Sequence, residues 1–156
     1  MHDGYTLTIK DPGWQEERSP IPADIEPTVI LSRSDAPDQR LSIDTGQTSS
    51  LLDEAGVAAL LADVESLPMS QPLPAMVGAA RGLQVDVAPT AQGDVSVPGA
   101  GTYTFTPSDR YRLMALQLPM GQESAIKVII IEAPTADFDA FVGLADAVLQ
   151  TLKFTL

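Results

Sequence analysis

The sequence predicts an α+β fold: a largely antiparallel β-sheet of about six or seven strands flanked by helices, in the order β-β-β-α-β-β-β-β-α. Three observations predict it. Short stretches of alternating apolar and polar residues follow one another with turn residues between them, which favours antiparallel neighbours. One stretch, residues 126–133, is apolar almost throughout, as a strand covered on both faces would be. A helical stripe closes the chain: Phe138, Phe141, Val142, Ala145, Val148, Leu149 and Leu152 recur at the spacing of one helix face.

The first strand is expected at 5–9, where Tyr5, Leu7 and Ile9 alternate with Thr6, Thr8 and Lys10. Pro12-Gly13 ends it as a turn, and 15–27 read as a polar loop with three prolines (Pro20, Pro22, Pro27). "TVILSR" at 28–33 and "RLSIDT" at 40–45 read as a hairpin across the turn "SDAPDQ". Ser50 opens a helix as its N-cap, with Asp53 three residues on. Its apolar face is Val57, Leu60, Leu61 and Val64, and Gly56 within it makes the helix depend on packing. Residues 67–74 contain three prolines and break it. Further strands are expected at 83–89, 102–106, 111–118 and 126–133, with a loop at 91–101 and a turn at 120–124. In the closing helix Asp137 and Asp139 occupy the first turn, which the helix dipole favours, and Lys153 stands at its end.

The 156 residues suit one domain spanning 1–156, long enough to bury roughly 70% of its unfolded surface. Nine basic and 21 acidic residues give a net charge of −12. Three lysines and six arginines scattered along such a chain do not form the footprint that replaces nucleic-acid counterions, and the same balance argues against anionic membrane surfaces. No apolar run approaches the roughly 20 residues that span a bilayer, so no membrane insertion is expected within this chain. The absence of cysteine excludes disulfides and thiolate chemistry. The first residues, Met1-His2-Asp3-Gly4, have neither the basic start nor the apolar middle of a signal peptide.

Chemistry-bearing patterns are few. The single histidine, His2, lies at the terminus, so a Ser-His-Asp triad and a histidine-based zinc site both lack their central residue. "SDAPDQ" and "APTADFD" lack the calcium-loop spacing. "GAGTYTF" has neither the third glycine nor the helix of a dinucleotide fingerprint. No catalytic residue, metal or cofactor is expected. Two places remain as candidate binding residues. In "PSDRYR", Arg110 and Arg112 lie on one face of a strand around Tyr111, and they either hold a partner's carboxylate or pair with this chain's own acids. Trp14, the only tryptophan, either plugs the end of the core or stands exposed as an interface anchor.

Several of these features occur together in one family. A strand runs into Pro12-Gly13-Trp14, and a β-β-β-α unit follows. Then come the strand around Gly82, Leu83, Val85 and Asp86, a strand opening "DRYRL" at 109–113, and the closing block "VIIIEAPTADFDAFVGLADAVLQTLKF" at 128–154. This combination resembles the PsbP-like superfamily, which includes the extrinsic PsbP protein of photosystem II, a Ran-binding nuclear import factor of the same fold and bacterial exported domains. Pro12-Gly13-Trp14 is one residue shorter than the family's common Pro-x-Gly-Trp. The resemblance implies an antiparallel sheet between helices, an α/β/α sandwich. It implies a non-catalytic domain that binds or supports another protein, extracytoplasmic and carried within a longer exported or membrane-anchored chain. Two other functions fit the same residues: a small-ligand or lipid-binding protein using the space between sheet and helix, and a cytoplasmic chaperone of secreted effectors.

Overall fold

The computed structural model describes residues 5–17, 29–43, 67–97, 101–120 and 123–154. Its centre is a seven-stranded sheet in which every pairing is antiparallel. In spatial order it runs β2 (Trp14–Glu17), β3 (Val29–Arg33), β4 (Arg40–Ile43), β10 (Glu123–Pro134), β9 (Asp109–Met120), β6 (Ala80–Val87) and β5 (Leu73–Val77). Two strand pairs lie outside it: β1 (Tyr5–Thr6) with β11 (Lys153–Phe154), and β7 (Gly93–Val97) with β8 (Gly101–Phe105). The helix α1 spans Phe138–Leu149.

β10 is the middle strand, as its composition requires. Val128, Ile129, Ile130 and Ile131 are all buried, with Ile129 and Ile131 on one face of the sheet and Val128 and Ile130 on the other. β9 alternates in the same way, sending Met114, Leu116 and Leu118 to the first face and Tyr111, Leu113 and Ala115 to the second. α1 covers the first face with Phe138, Phe141, Val142, Ala145, Val148 and Leu149. The second face is covered, among the described residues, by the β7–β8 hairpin through Val95, Tyr103 and Phe105. The helix expected from Ser50 to Val64 lies outside the described residues.

Several boundaries differ from the sequence reading, each for a physical reason. Residues 15–17 open the stretch read as a loop, and they belong to β2. It is a sheet-edge strand whose Gln15 and Glu16 face solvent, so it carries no apolar alternation. The strand β5 begins inside the stretch 67–74 read as a helix breaker. Pro74 is tolerated there because an edge strand has one side of its backbone unpaired. β7 occupies a stretch read as loop, and pairs only with β8. The first strand is shorter than its alternation implied, with only Tyr5–Thr6 paired, to β11. Past it, Thr8 donates its N–H to Thr151 Oγ1 at 3.2 Å and accepts that hydroxyl at 2.8 Å on its carbonyl. α1 stops at Leu149; Leu152 is still buried in the core, and Lys153 belongs to β11 rather than to the helix end.

Gly82 marks the tightest backbone approach in the sheet. A Cβ built on it would stand 1.9 Å from the carbonyl oxygen of Ala115 on β9. Gly82→Ala is therefore expected to cost about 1–3 kcal/mol through forced displacement of β6 from β9. For a chain of this size that is a fall of roughly 2–12 °C in melting temperature. Differential scanning calorimetry checks it, and an unchanged midpoint would contradict the close approach.

Candidate binding cleft

The residues singled out in the sequence occupy three separate settings. Trp14 is 8% exposed on β2, its ring 5.5 Å from that of Phe141 on α1. Arg33 lies over its other side, 5.6 Å from the ring centroid, a cation–π arrangement. Asp11 fixes that arginine with an ion pair and accepts the Gly13 N–H at 2.8 Å, and Ser34 donates its N–H to the Gly13 carbonyl at 2.8 Å. The Pro12-Gly13 turn thus aims the tryptophan inward and places the arginine that covers it.

Arg110 and Arg112 share the face of β9 beneath α1, and both meet this chain's own acids. Arg112 binds Asp86 on β6 with two hydrogen bonds, Nε to Oδ1 at 2.7 Å and Nη2 to Oδ2 at 3.0 Å. Arg110 reaches Asp139 at 3.6 Å and lies 4.6 Å from the Phe138 ring centroid, pinning the start of α1 to the sheet. Tyr111 points to the opposite face and is fully buried, its ring 4.7 Å from that of Phe105 and its hydroxyl accepting the Thr106 N–H at 3.0 Å. Three strands separate β2 from β9, so the sheet does not bring Trp14 together with the arginines.

A carboxyl is half-buried on that second face. Glu132 of β10 accepts the Tyr103 hydroxyl at 2.7 Å beneath the β7–β8 hairpin. Burial pushes the Glu132 carboxyl above the usual glutamate range, and burial together with the Glu132 charge pushes the Tyr103 phenol far up. A carboxyl with a raised folded-state pKa stabilises the fold fully below its unfolded value, about pH 4.3. That contribution is lost as pH rises through the folded value. Glu132→Gln is therefore expected to melt above the parent at neutral pH, with the gap closing in acid. Thermal melts across pH check this, and a gap that widens toward acid would contradict it.

The described surface is hollow at the other end of the sheet. A cleft of ≈ 450 Å³ lies between the outermost strand β5 and the C-terminal turn of α1. Its walls include Ala75 and Val77 of β5, Gln84 of β6, Met114 of β9, and Asp146 and Leu149 of α1. The lining is mixed, with apolar side chains such as Val77, Met114 and Leu149 beside the polar Gln84, Asp146 and Gln150. The half-buried Asp146 carboxyl is held above the usual aspartate range by burial, which the more distant Arg112 partly offsets. It makes no side-chain hydrogen bond or ion pair among the described residues. Beside the cleft the edge strand exposes large apolar side chains on both faces, Leu73 at 55% on the face of the cleft and Met76 at 65% on the opposite one. Among the described residues no group of three or more acids and histidines is placed to hold a metal ion.

The architecture has known counterparts. LpqN of Mycobacterium tuberculosis, which is involved in cell envelope biogenesis, superimposes over 99% of this chain and 86% of its own, with a TM-score of 0.56 at 12% identity. The cyanobacterial PsbP of Synechocystis superimposes over 98% of this chain and 88% of its own, with a TM-score of 0.51 at 14% identity. The fold is PsbP-like. A third structure, from Bacteroides thetaiotaomicron, covers the whole of this chain with half of its own length, at a TM-score of 0.50 and 10% identity. No protein-family model and no curated protein sequence matches the chain.

In this PsbP-like chain the sequence reading named none of the residues that line the cleft, although one of its alternatives used the space between sheet and helix. One signal was present: Asp146 lies four residues after Val142 and three before Leu149, an acid placed on the border of an apolar helix stripe. The rest of the cleft comes from β5, β6 and β9, which are remote from one another in sequence.

Proposed function

We propose that the chain is a non-catalytic binding domain, spanning 1–156, whose recognition surface is the cleft and the adjoining edge of β5. The observation that carries this reading is the exposure of Leu73 and Met76, on opposite faces of an edge strand, beside a cleft of mixed polar and apolar lining. Exposed large apolar side chains beside a concave site are a recurrent mark of interaction sites. The other residues singled out in the sequence carry less: Trp14 and Tyr111 are buried, and Arg110 and Arg112 are engaged by acids of the same chain. The likeness to LpqN, involved in cell envelope biogenesis, supports an extracytoplasmic, envelope-associated setting; the partner in this reading is another protein.

A photo-crosslinking amino acid placed at Met76, and separately at Asp94 on the distant β7–β8 hairpin, tests this in the native host. A discrete adduct at 76 and none at 94 is the expected result. Equal labelling at both positions, or none at 76, overturns the reading. The ≈ 450 Å³ volume of the cleft favours one second reading, a small ligand. Native mass spectrometry of gently purified protein decides it by the presence or absence of bound mass.

A further inference from the structure

We propose that the occupant of the cleft is an extended partner segment that adds as a strand to the outer edge of β5 and inserts a lysine or arginine toward Asp146. This rests on the binding reading above and specifies its chemistry. Four observations converge on it.

Asp146 lines the cleft with a carboxylate that no described cation contacts directly; the nearby Arg112 spends both of its forked hydrogen bonds on Asp86. The C-terminal turn of α1 forms the same wall through Leu149 and Gln150, and it contains no basic residue. The carbonyls of Asp146, Val148 and Leu149 are taken up by the N–H groups of 150–152, but the helix end still carries a partial negative charge, so the helix dipole adds to the carboxylate in drawing a cation. The chain as a whole carries −12, so a basic segment is steered toward it and an acidic one is repelled.

The edge itself supplies the fourth observation. Val77 pairs with Ala80 across the two-residue turn Gly78-Ala79, where Gly78 takes the positive φ of 57°. Pairing in that register turns alternate residues of β5 toward β6. The main-chain groups of Pro74 and Met76 are left on the outer side, where β5 has no neighbour among the described residues. Met76 offers both an N–H and a carbonyl to an incoming strand, the arrangement used in strand addition. Ala75 and Val77 face the cleft with small side chains, leaving room for the aliphatic stem of a lysine or arginine whose charged end meets Asp146.

The test selects from a random nonapeptide library displayed on phage, using the whole chain as bait. Selection is repeated on Asp146→Asn and on Met76→Pro, each checked for folding by thermal melting. Asp146→Asn removes a half-buried charge, and Met76→Pro removes an N–H that β6 does not use, so both are expected to stay folded. The expected result is at least tenfold enrichment of lysine or arginine at one position flanked by apolar residues. That enrichment should vanish with Asp146→Asn, and binding of the winning peptides should fall at least tenfold with Met76→Pro. No enrichment, enrichment of acidic or neutral peptides, or a basic preference that survives Asp146→Asn overturns the proposal. Displacement of the winning peptide by butylamine at equal concentration also overturns it, in favour of a small cationic ligand. The crosslinking result at Met76 stands apart from these outcomes: an adduct there with no basic preference retains the binding surface and removes only this account of its occupant.

Discussion

Phe141→Ala is expected to lower stability by about 3–5 kcal/mol, the range for emptying a buried phenylalanine site. The ring is 1% exposed and stands against Trp14, so its loss strips packing from both α1 and the edge strand β2. The neighbourhood has little means of closing the gap. Trp14 is held from its other side by Arg33, which is itself tied to Asp11. Urea denaturation followed by the fluorescence of the single tryptophan measures the effect at the place where it arises. Phe141→Leu keeps most of the volume and is expected to recover most of the loss. A cost below about 1 kcal/mol for the alanine variant would mean that this helix face is not sealed against the sheet.

Phe105→Ala is expected to cost a similar amount, about 3–5 kcal/mol, with a different distribution. Among the described strands β7 and β8 pair their backbones only with each other, forming a sheet separate from the seven-stranded one. Side chains attach them: Phe105 and Tyr103 to Tyr111, the Tyr103 hydroxyl to Glu132, and Thr106 to the Tyr111 hydroxyl. Phe105 is fully buried and lies at the middle of that attachment. Its removal should therefore free the hairpin before the sheet unfolds, a local opening rather than a global one. Hydrogen exchange read by mass spectrometry is expected to show protection lost across β7–β8 and kept across β9 and β10. Tyr111→Phe, which removes one hydroxyl and no packing, should cost only about 1 kcal/mol. Uniform loss of protection in both variants would contradict a separately attached hairpin.

The legibility of this fold in its sequence follows burial. α1 and β10 were readable because each is constrained by the core along its whole length: Phe138 to Leu149 on one helix stripe, Val128 to Ile131 on both sheet faces. β2, β5 and β7 were not, because an edge or satellite strand is held by its ladder and leaves its side chains free to be polar or proline. Gln15, Glu16 and Pro74 say nothing of a strand until β3 and β6 stand beside them. The binding residues divide in the same way. Arg110 and Arg112 were correctly placed on one face, but their partners Asp139 and Asp86 are set by how β9 meets α1 and β6, a matter of tertiary register. The cleft needed more still, since Ala75, Gln84, Met114 and Asp146 converge only after four elements have packed.

The pairing of Tyr5 with Phe154 has a consequence for how the domain travels in evolution and in the laboratory. A polypeptide that enters and leaves through neighbouring strands opens onto its surroundings at a single doorway. Such a unit can be spliced into a loop of a host protein without prying the host apart, because the host feels an insertion only as wide as one strand spacing. The same doorway lets the polypeptide be rejoined across 5 and 154 by a short bridge and cut elsewhere, giving a circular permutant with the same sheet order and the cleft undisturbed.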